Sequence, residues 1–375
     1  MKVALGPADV VTAYGWGLEA LWSGLMSGGT AIAPVGWLTE RGFPTHIAAE
    51  VPGLKPAAGE SRVWAMLRQL LAPLAGTLDE RMPVILATTV GEIECVERAV
   101  LEGRAELAAG ASPMELLARI KNLLGLRGRG VVVSAACASS AAALTQAAAM
   151  VRRGEARRVL VVTCDAVSEF VYSGFTSLLS LAERPAAPFD ADRAGLTLGE
   201  AAAWTLVSTE EEETEATAVI AGWGNTSDAF HMTAPDAEGR GLARAIAKAC
   251  AMSGRGAGEI DLIAAHGTAT VFSDAMEMAA FRASLPRPVP MFSVKGGVGH
   301  TLGAAGLVQI LVAVRALAEG VVPPTVGLRL AEDAAEGWVR GQAVRLAAAG
   351  GRRLALSTNS GFGGVNTAIL LEGRA

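Results

Sequence analysis

One of the four cysteines, Cys137, lies between a predicted strand and a predicted helix, a position at which a cysteine can act as a nucleophile. Cys137 follows the apolar, β-branched run "VVVSAA" and precedes the alanine-rich "ASSAAALTQAAAM". A strand followed at once by a helix would place its sulfur at the helix N-terminus, where the dipole and free N–H groups stabilise a thiolate. The same N–H groups can stabilise the oxyanion of a thioester carbonyl. A small buried residue filling the turn is the alternative, and it is our interpretation of the other three cysteines.

Two histidines and a lysine are the next candidates. Of the chain's four histidines, His266 follows "DLIAA" and opens "HGTAT", and His300 follows the glycine-rich "SVKGGVG". α/β proteins build their sites at the carboxyl ends of strands and in the turns that follow them. Lys295 lies in the same turn as His300, where it either faces solvent or keeps the imidazoles neutral and oriented. A buried histidine without a role is the alternative at each position.

A glycine-rich segment carries one bulky side chain. In "NSGFGG", which begins at Asn359, Phe362 lies between Gly361 and Gly363. The functional interpretation is a gate over the nucleophile that also donates a backbone N–H to the oxyanion. An ordinary glycine turn with a phenylalanine in the core is the alternative.

The rest of the chain predicts an α/β protein that positions these residues. Unbroken apolar runs such as "MPVILATTV" and "RRVLVVTCDA" alternate with helical stretches such as "GRGLARAIAKACAMSG". Such strands are buried on both faces of a sheet. The acidic run "STEEEETEAT" predicts an exposed connection between two halves, residues 1–215 with the cysteine and 216–375 with the histidines, lysine and gating loop. The segments "VVVSAACASS" and "ALSTNSGFGG" are weakly similar, since each is a predicted strand that ends in serine or threonine before a turn of small residues. This similarity suggests internal duplication.

Composition excludes several classes of function. With 51% hydrophobic and 18% charged residues the chain is globular, and a net charge of −5 disfavours broad nucleic-acid binding. Four cysteines without a CxxC pair predict neither a zinc site nor a disulfide scaffold. The most apolar segment, "GLVQILVAVRAL", is interrupted by Gln309 and Arg315 and is too short to span a bilayer. We therefore expect a soluble, cytoplasmic protein with no membrane or nucleic-acid partner.

Six segments together resemble one family, the β-ketoacyl-ACP synthases. In order, they are "SAACASS", "APFDADRAGLTLGEAAA", "SDAFHMTAP", "HGTATVFSDAMEM", "SVKGGVGHTLGAAG" and "NSGFGGVN". The chain is more similar to the elongating type, with a Cys-His-His triad, than to the initiating type with Cys-His-Asn, and the resemblance covers essentially the whole chain. It implies the thiolase fold: two βαβαβαββ halves in a five-layered α/β/α/β/α core, usually dimeric.

The resemblance also implies a reaction. An acyl group held on Cys137 would condense with malonyl-acyl carrier protein, with loss of carbon dioxide. His266 and His300 would hold the malonyl carbonyl and stabilise the enolate, with Lys295 in support. The backbone N–H groups of Cys137 and Phe362 would form the oxyanion hole.

The remaining implied contacts concern the substrate. Thr268 and Thr270 would contact the pantetheine arm, Leu196 would lie near the acyl tunnel, and Asn359 would belong to the substrate site. The family needs neither a metal nor a redox cofactor, because its substrates arrive on the phosphopantetheine of acyl carrier protein. The expected partners are that carrier and either an identical or a related ketosynthase subunit.

Four departures from the family point to a specialised fatty-acid, polyketide or polyene pathway, one of them being the short segment before Cys137 in a chain of 375 residues that is shorter than typical members. Gln309 replaces the usual glutamate, so it can accept a hydrogen bond from Lys295 but cannot neutralise it. Leu196 replaces an aromatic residue near the tunnel, and "NSGFGG" lacks one phenylalanine. The alternative function is a weakly active or structural chain-length partner subunit. A thiolase that condenses without decarboxylation is disfavoured, because no second cysteine fits as its base.

An acidic carrier needs a basic docking patch on this acidic chain. The sequence offers two clusters, "RIKNLLGLRGRG" and "RRGEARR". Solvated helix ends are an equally good interpretation of both.

Overall fold

The N-terminal part of the chain alternates strands and helices. A computed structural model describes residues 2–213, 217–347 and 352–373. The elements up to residue 213 are, in chain order, β1 (Val3–Thr12), β2 (Gly15–Trp16), α1 (Leu18–Met26), β3 (Ala33–Pro34), α2 (Gly36–Glu40), β4 (Ile47–Ala48), α3 (Arg62–Leu71), β5 (Val84–Ala87), α4 (Ile93–Glu102), α5 (Pro113–Leu124), β6 (Gly130–Val133), α6 (Ser139–Arg152), β7 (Arg158–Asp165), α7 (Glu169–Ser177) and β8 (Ala201–Thr209).

The C-terminal part continues the alternation. Its elements are β9 (Ala218–Ser227), α8 (Arg240–Ser253), β10 (Leu262–Ala264), α9 (Val271–Ser284), β11 (Met291–Phe292), α10 (Lys295–Val298), α11 (Ala305–Glu319), β12 (Val321–Val322), β13 (Val344–Arg345), β14 (Leu354–Gly361) and β15 (Val365–Gly373).

Two sets of five strands share one pairing pattern. In the first, ordered β6-β5-β7-β8-β1, β5 is parallel to β6 and β7, and β8 is antiparallel to β7 and β1. The second, ordered β11-β10-β14-β15-β9, repeats this with β10 parallel to β11 and β14, and β15 antiparallel to β14 and β9. The sets meet where β1 pairs antiparallel with β9. The predicted duplicated α/β fold is confirmed.

The helices complete five layers. Side chains of α6 and α11 form one core between the two sets of strands, α3 and α5 cover the outer face of the first set, and α8 and α9 cover that of the second. Small residues let the central helices approach closely: a Cβ added at Gly306 would lie 2.8 Å from the Ala141 nitrogen. This close contact explains the alanine-rich sequence that follows Cys137.

One segment, Leu302–Glu319, is long and apolar enough to cross a membrane, with a mean hydropathy of 1.6. Its length therefore does not exclude a span, contrary to the sequence argument. However, 83% of it is buried inside the protein, because α11 belongs to the central layer. It is the core helix of a soluble fold.

The acidic run between the halves is only partly described. The proposed boundary between residues 215 and 216 lies outside the described residues. Within the described part, Ser208 belongs to β8 and is buried, and Glu213 is buried beside Arg158 at 3.3 Å. Glu211, Glu212 and Thr217 are exposed, so the prediction of an exposed connection is confirmed at these positions and wrong at Ser208, Thr209 and Glu213.

Candidate active site

Cys137 lies between β6 and the first turn of α6, at the end of the helix where free N–H groups point outward. The preceding residue, Ala136, has a φ of 49°, an uncommon left-handed conformation for a residue with a side chain. Burial raises the pKa of the thiol to about 11, although the positive charge of Lys295 and the backbone N–H groups of Cys137 and Phe362 act in the opposite direction. Both N–H groups of the predicted oxyanion hole therefore act on the sulfur.

His266 and His300 face each other beside this thiol. Their ring centroids are 5.5 Å apart and the rings are nearly perpendicular, at 87°. Burial, and then the charge of Lys295, holds both imidazole pKa values well below their usual range. Both rings are therefore neutral at pH 7, and each carries one N–H that can donate.

The hydrogen bonds of His266 select its tautomer. The Lys295 Nζ lies 3.3 Å from Nδ1 and also donates to the backbone carbonyl of His266. The Asn359 amide nitrogen is 3.4 Å from the same Nδ1. Because both neighbours are donors, Nδ1 accepts and the proton resides on Nε2. The Nδ1 of His300, in contrast, is buried with no partner among the described residues.

Lys295 is a buried cation with carboxylates nearby. Burial lowers its pKa to about 8, while Glu277, Cys137 and Asp274 act to raise it. The sequence argument expected an ammonium without a counter-charge, because Gln309 is neutral. Glu277 and Asp274 supply some negative charge, but the lowered pKa is the direction expected for a buried ammonium that is not fully neutralised.

These two carboxylates are residues that the sequence analysis missed. Glu277 accepts the backbone N–H groups of His266 at 2.7 Å and Gly267 at 2.8 Å. Asp274 accepts the N–H of Thr268 at 2.9 Å. They therefore fix the turn that carries His266. The sequence contained a pattern that could have identified them. The helix that follows "HGTAT" carries two acidic residues three positions apart, and residues at that spacing share one face of a helix.

Gln309 is fully buried and uses both ends of its amide. Its oxygen accepts from Asn359 Nδ2 at 3.3 Å, and not from Lys295 as the sequence suggested. Its nitrogen donates to three acceptors, which are Ala264 O at 3.1 Å, Ser357 Oγ at 2.9 Å and Thr358 O at 2.9 Å. Asn359 thus stands between Gln309 and His266, so it positions the imidazole.

A cavity of about 230 Å³ opens from the nucleophile to the surface. The predicted site residues on its wall are Cys137, Leu196, His266, Thr268, Thr270, His300, Gly361 and Phe362. The hydroxyls of Thr268 and Thr270 lie 2.9 Å apart on this wall. Lys295 and Asn359 lie behind His266, and Gly363 is not on the wall.

The glycine-rich segment covers the nucleophile. A Cβ added at Gly361 would lie 3.2 Å from the Cys137 nitrogen, so glycine permits the close approach. Phe362 is 38% exposed and stacks on Phe175 with a centroid separation of 5.8 Å. Gly363 has a φ of 83°, which a side chain would strain. Phe362 is thus held at the cavity mouth by a tight turn.

A buried thiol at a helix N-terminus, two neutral imidazoles and a buried lysine on a duplicated five-layer fold define an acyltransferase that works through a covalent thioester. Family models confirm and refine this class: "Beta-ketoacyl synthase, N-terminal domain" matches residues 61–213 and "Beta-ketoacyl synthase, C-terminal domain" matches 217–329. The chain belongs to the β-ketoacyl synthase family. It is a β-ketoacyl-ACP synthase.

Individual relatives agree with this assignment. A Streptomyces cyaneus protein assigned as a polyketide β-ketoacyl synthase is 30% identical over 100% of this chain and 98% of its own length. The 3-oxoacyl-[acyl-carrier-protein] synthase 2 of Rhizobium meliloti is 28% identical over 99% and 98%. Both polyketide and fatty-acid synthases are thus similar over the full chain.

Solved structures are similar over the whole fold. The ishigamide ketosynthase/chain length factor has a TM-score of 0.90 and 27% identity, covering 100% of this chain and 99% of that one. The ketosynthase ApeO in complex with its chain length factor ApeC, from Xenorhabdus doucetiae, has a TM-score of 0.86 and 26% identity, covering 100% and 98%. The thiolase fold is therefore established.

Proposed function

We propose that Cys137, His266 and His300 carry out the condensation of this synthase in two half-reactions. The observation that supports this is their convergence on one cavity, with both imidazoles neutral. In the first half-reaction the Cys137 sulfur attacks the thioester of an acyl carrier. A new thioester forms on Cys137, and the carrier leaves as a free thiol that takes up the cysteine's proton.

The second half-reaction begins with malonyl carrier in the same cavity. The bond to its carboxylate breaks, carbon dioxide leaves, and the electron pair forms an enolate whose oxygen accepts N–H groups of the two imidazoles. The enolate carbon then attacks the acyl carbonyl, whose oxygen is stabilised by the N–H groups of Cys137 and Phe362. The tetrahedral adduct that forms with the new carbon–carbon bond then collapses, the carbon–sulfur bond breaks, and Cys137 leaves as a thiolate that takes up a proton from solvent. Preorganised donors of this kind supply most of the rate in such sites.

The remaining parts of the proposal concern substrates and partners. The thiolase alternative stays disfavoured. We propose a cytoplasmic enzyme of a specialised fatty-acid, polyketide or polyene pathway that uses acyl carrier protein and needs no bound metal or cofactor, because the reaction is redox-neutral and its substrates arrive activated as thioesters. Dimerisation with an identical or related subunit is supported by the ketosynthase–chain length factor assemblies among the structural neighbours.

A direct test separates the enzyme from a structural partner subunit. We expect the purified protein to gain one acyl group from acyl carrier and to release carbon dioxide from malonyl carrier. C137A should gain no acyl group but still release carbon dioxide, whereas H300A should load normally and lose decarboxylation, by about 100-fold or more for a lost donor. Intact mass and carbon dioxide release measure the two steps.

The control for this test is a related ketosynthase subunit added to the protein. If the protein alone neither loads Cys137 nor decarboxylates malonyl carrier, both activities appear only with the related subunit, and loading requires that subunit's own cysteine, the protein is a chain-length partner instead. Loading of C137A at the parent's rate would contradict the role of Cys137.

Charge at the two basic clusters is largely balanced locally. Arg119 pairs with Glu92 at 2.7 Å and Arg157 pairs with Glu212 at 3.5 Å. Further pairs within the clusters join Arg127 to Glu80, Arg153 to Glu155, and Arg158 to Glu213. In contrast, exposed apolar side chains line the cavity mouth. We propose that the carrier docks mainly on these.

Docking on the apolar mouth makes a measurable prediction. Phe272 lines the cavity and is 77% exposed, and Leu178, which also lines it, is 44% exposed. We expect F272S to raise the KM for malonyl carrier roughly tenfold, because central apolar contacts dominate interfaces. The exposed Leu330, which is not on the cavity wall, provides the control L330S. A strong loss of affinity with salt, or a larger effect of R157E than of F272S, would contradict apolar docking.

A further inference from the structure

One buried carboxylate near the nucleophile takes no part in the reaction described above. Asp165 is the last residue of β7 and is fully buried. Its Oδ1 accepts the Thr88 hydroxyl at 2.8 Å and the Thr89 N–H at 3.1 Å, and its Oδ2 accepts the same N–H at 3.0 Å. Oδ2 also accepts the N–H of Gly303 at 2.7 Å. The carboxylate thus joins strand ends of the first half to the turn that follows His300.

The turn at Gly303 lies against the end of β7. Asp165 accepts the Gly303 N–H, and Thr163 Oγ1, which donates its single proton to Ala87 O at 2.9 Å, lies 3.3 Å from the Gly303 carbonyl oxygen. A Cβ at Gly303 would lie 2.6 Å from Asp165 Oδ2, so only glycine permits this approach. The preceding residue, Leu302, has a φ of 51°, and surrounding contacts must maintain such a conformation. The position of this turn therefore depends on the end of β7.

His300 depends on its backbone more than His266 does. The His266 ring is hydrogen-bonded at Nδ1 by Lys295 and Asn359. No described residue is bonded to the His300 Nδ1, while its backbone N–H donates to Thr197 O at 2.7 Å. The orientation of the His300 ring therefore depends on its own backbone. That backbone is held at His300 by the hydrogen bond to Thr197 and, three residues later, at Gly303.

The charge of Asp165 also reaches the nucleophile. Burial raises the pKa of Asp165 to about 6, against the effect of its hydrogen bonds, so the group is ionised at pH 7.5. Its negative charge raises the pKa of Cys137, opposing Lys295. An electrostatic effect and a geometric one therefore act through the same carboxylate.

We propose that Asp165 is a positioning residue for His300: by holding Gly303, it fixes the imidazole for the decarboxylation step. This inference rests on the proposed function of His300. Asp165 is thereby assigned two opposite effects: its charge makes ionisation of the Cys137 thiol harder, and its hold on Gly303 makes decarboxylation faster. A purely structural residue would affect both half-reactions in the same direction.

The variant D165A tests this assignment. An asparagine with its amide oxygen at the Oδ2 position could still accept from both Thr89 and Gly303, whereas alanine removes both acceptors and the charge, so Gly303 is released and the turn shifts. We expect carbon dioxide release from malonyl carrier to fall by roughly 100-fold, the loss typical of a small misplacement of a reacting group. We expect acyl loading of Cys137 to stay equal or increase, and its alkylation by iodoacetamide to shift to lower pH.

The matched control is T88V, which removes one hydrogen bond from Asp165 but keeps its charge and its bond to Gly303. T88V should decarboxylate like the parent. Decarboxylation by D165A within twofold of the parent would overturn the proposal, as would an equal loss of loading and decarboxylation with a lower melting temperature. If the parent itself lacks both activities, the proposed function fails and this inference falls with it. An unshifted alkylation profile in D165A would overturn the electrostatic part alone.

Discussion

Replacing Gln309 with glutamate, the residue that relatives of this family usually have, is expected to inactivate the enzyme. The Gln309 nitrogen donates to two backbone carbonyls and a hydroxyl, all inside the core. A carboxylate oxygen in that place cannot donate and faces acceptors instead. Burying such a charge among unpaired acceptors costs on the order of 3 kcal/mol or more.

The loss in Q309E should also depend on pH. Burial among acceptors would raise the folded-state pKa of the new carboxyl above its unfolded value, so the folded state binds the proton more tightly. Destabilisation relative to the parent is therefore largest above that folded-state pKa and shrinks as pH falls towards the unfolded value. Chemical denaturation at several pH values measures this, and carbon dioxide release at pH 7.5 measures activity.

The control for Q309E is Q309M, which removes the same donors without adding charge. We expect Q309M to fold more stably than Q309E at pH 7.5 and to lose the Asn359 contact that orients His266. If Q309E is instead as stable and active as the parent, Lys295 has moved to pair with the new carboxylate. The amide network would then be dispensable.

Gln309 also shows where sequence reasoning ends. A family resemblance identified the position as unusual, but not the partners of the amide. Its three acceptors come from β10 and β14 and lie 45, 48 and 49 residues from Gln309 along the chain. Only the pairing of these strands in the sheet brings them together. The expected Lys295 contact failed for this reason: the lysine finds its acceptors on His266.

The fold was more accessible to prediction than the side-chain partners. Long apolar strands such as β7 and β8 and the strand-to-helix turn at Cys137 leave clear local patterns. For short strands the pattern indicates the strand but not its bounds: β11 is only Met291–Phe292 and β10 only Leu262–Ala264, within the longer apolar runs "VPMFSVKG" and "IDLIAAHGT". Burial and parallel pairing with neighbouring strands define such elements, and those contacts are not local.

The two basic clusters show the same limit of sequence reasoning. Their arginines are close in sequence, which left a docking patch and solvated helix ends equally open. Their carboxylate partners are not all close: Arg157 and Arg158 pair with Glu212 and Glu213, from beyond β8. A local count of charges omits such partners.

Replacing Lys295 with methionine is expected to cut carbon dioxide release by about 100-fold or more, because the variant loses a preorganised cation and the donor that sets the His266 tautomer. The distinguishing result is the pH profile, measured in C137A so that thiol ionisation does not contribute. With Lys295 present, its lowered pKa of about 8 predicts a rate that is highest below this pH and falls above it, as the ammonium loses its proton. An ordinary lysine would titrate near 10.4.

In C137A/K295M that decline near pH 8 should disappear. Without the lysine's charge the imidazole pKa values should rise from their depressed values, since Lys295 is second only to burial in lowering them. The double variant should therefore lose rate at low pH, where the parent is flat. C137A/K295R, which keeps a charge that does not titrate in this range, is the control: it should also lack the decline near pH 8 but keep the low-pH rate. A decline near pH 8 that survives in both lysine variants would assign the titration to another group, and the neutral-imidazole mechanism would then have no role for the ammonium.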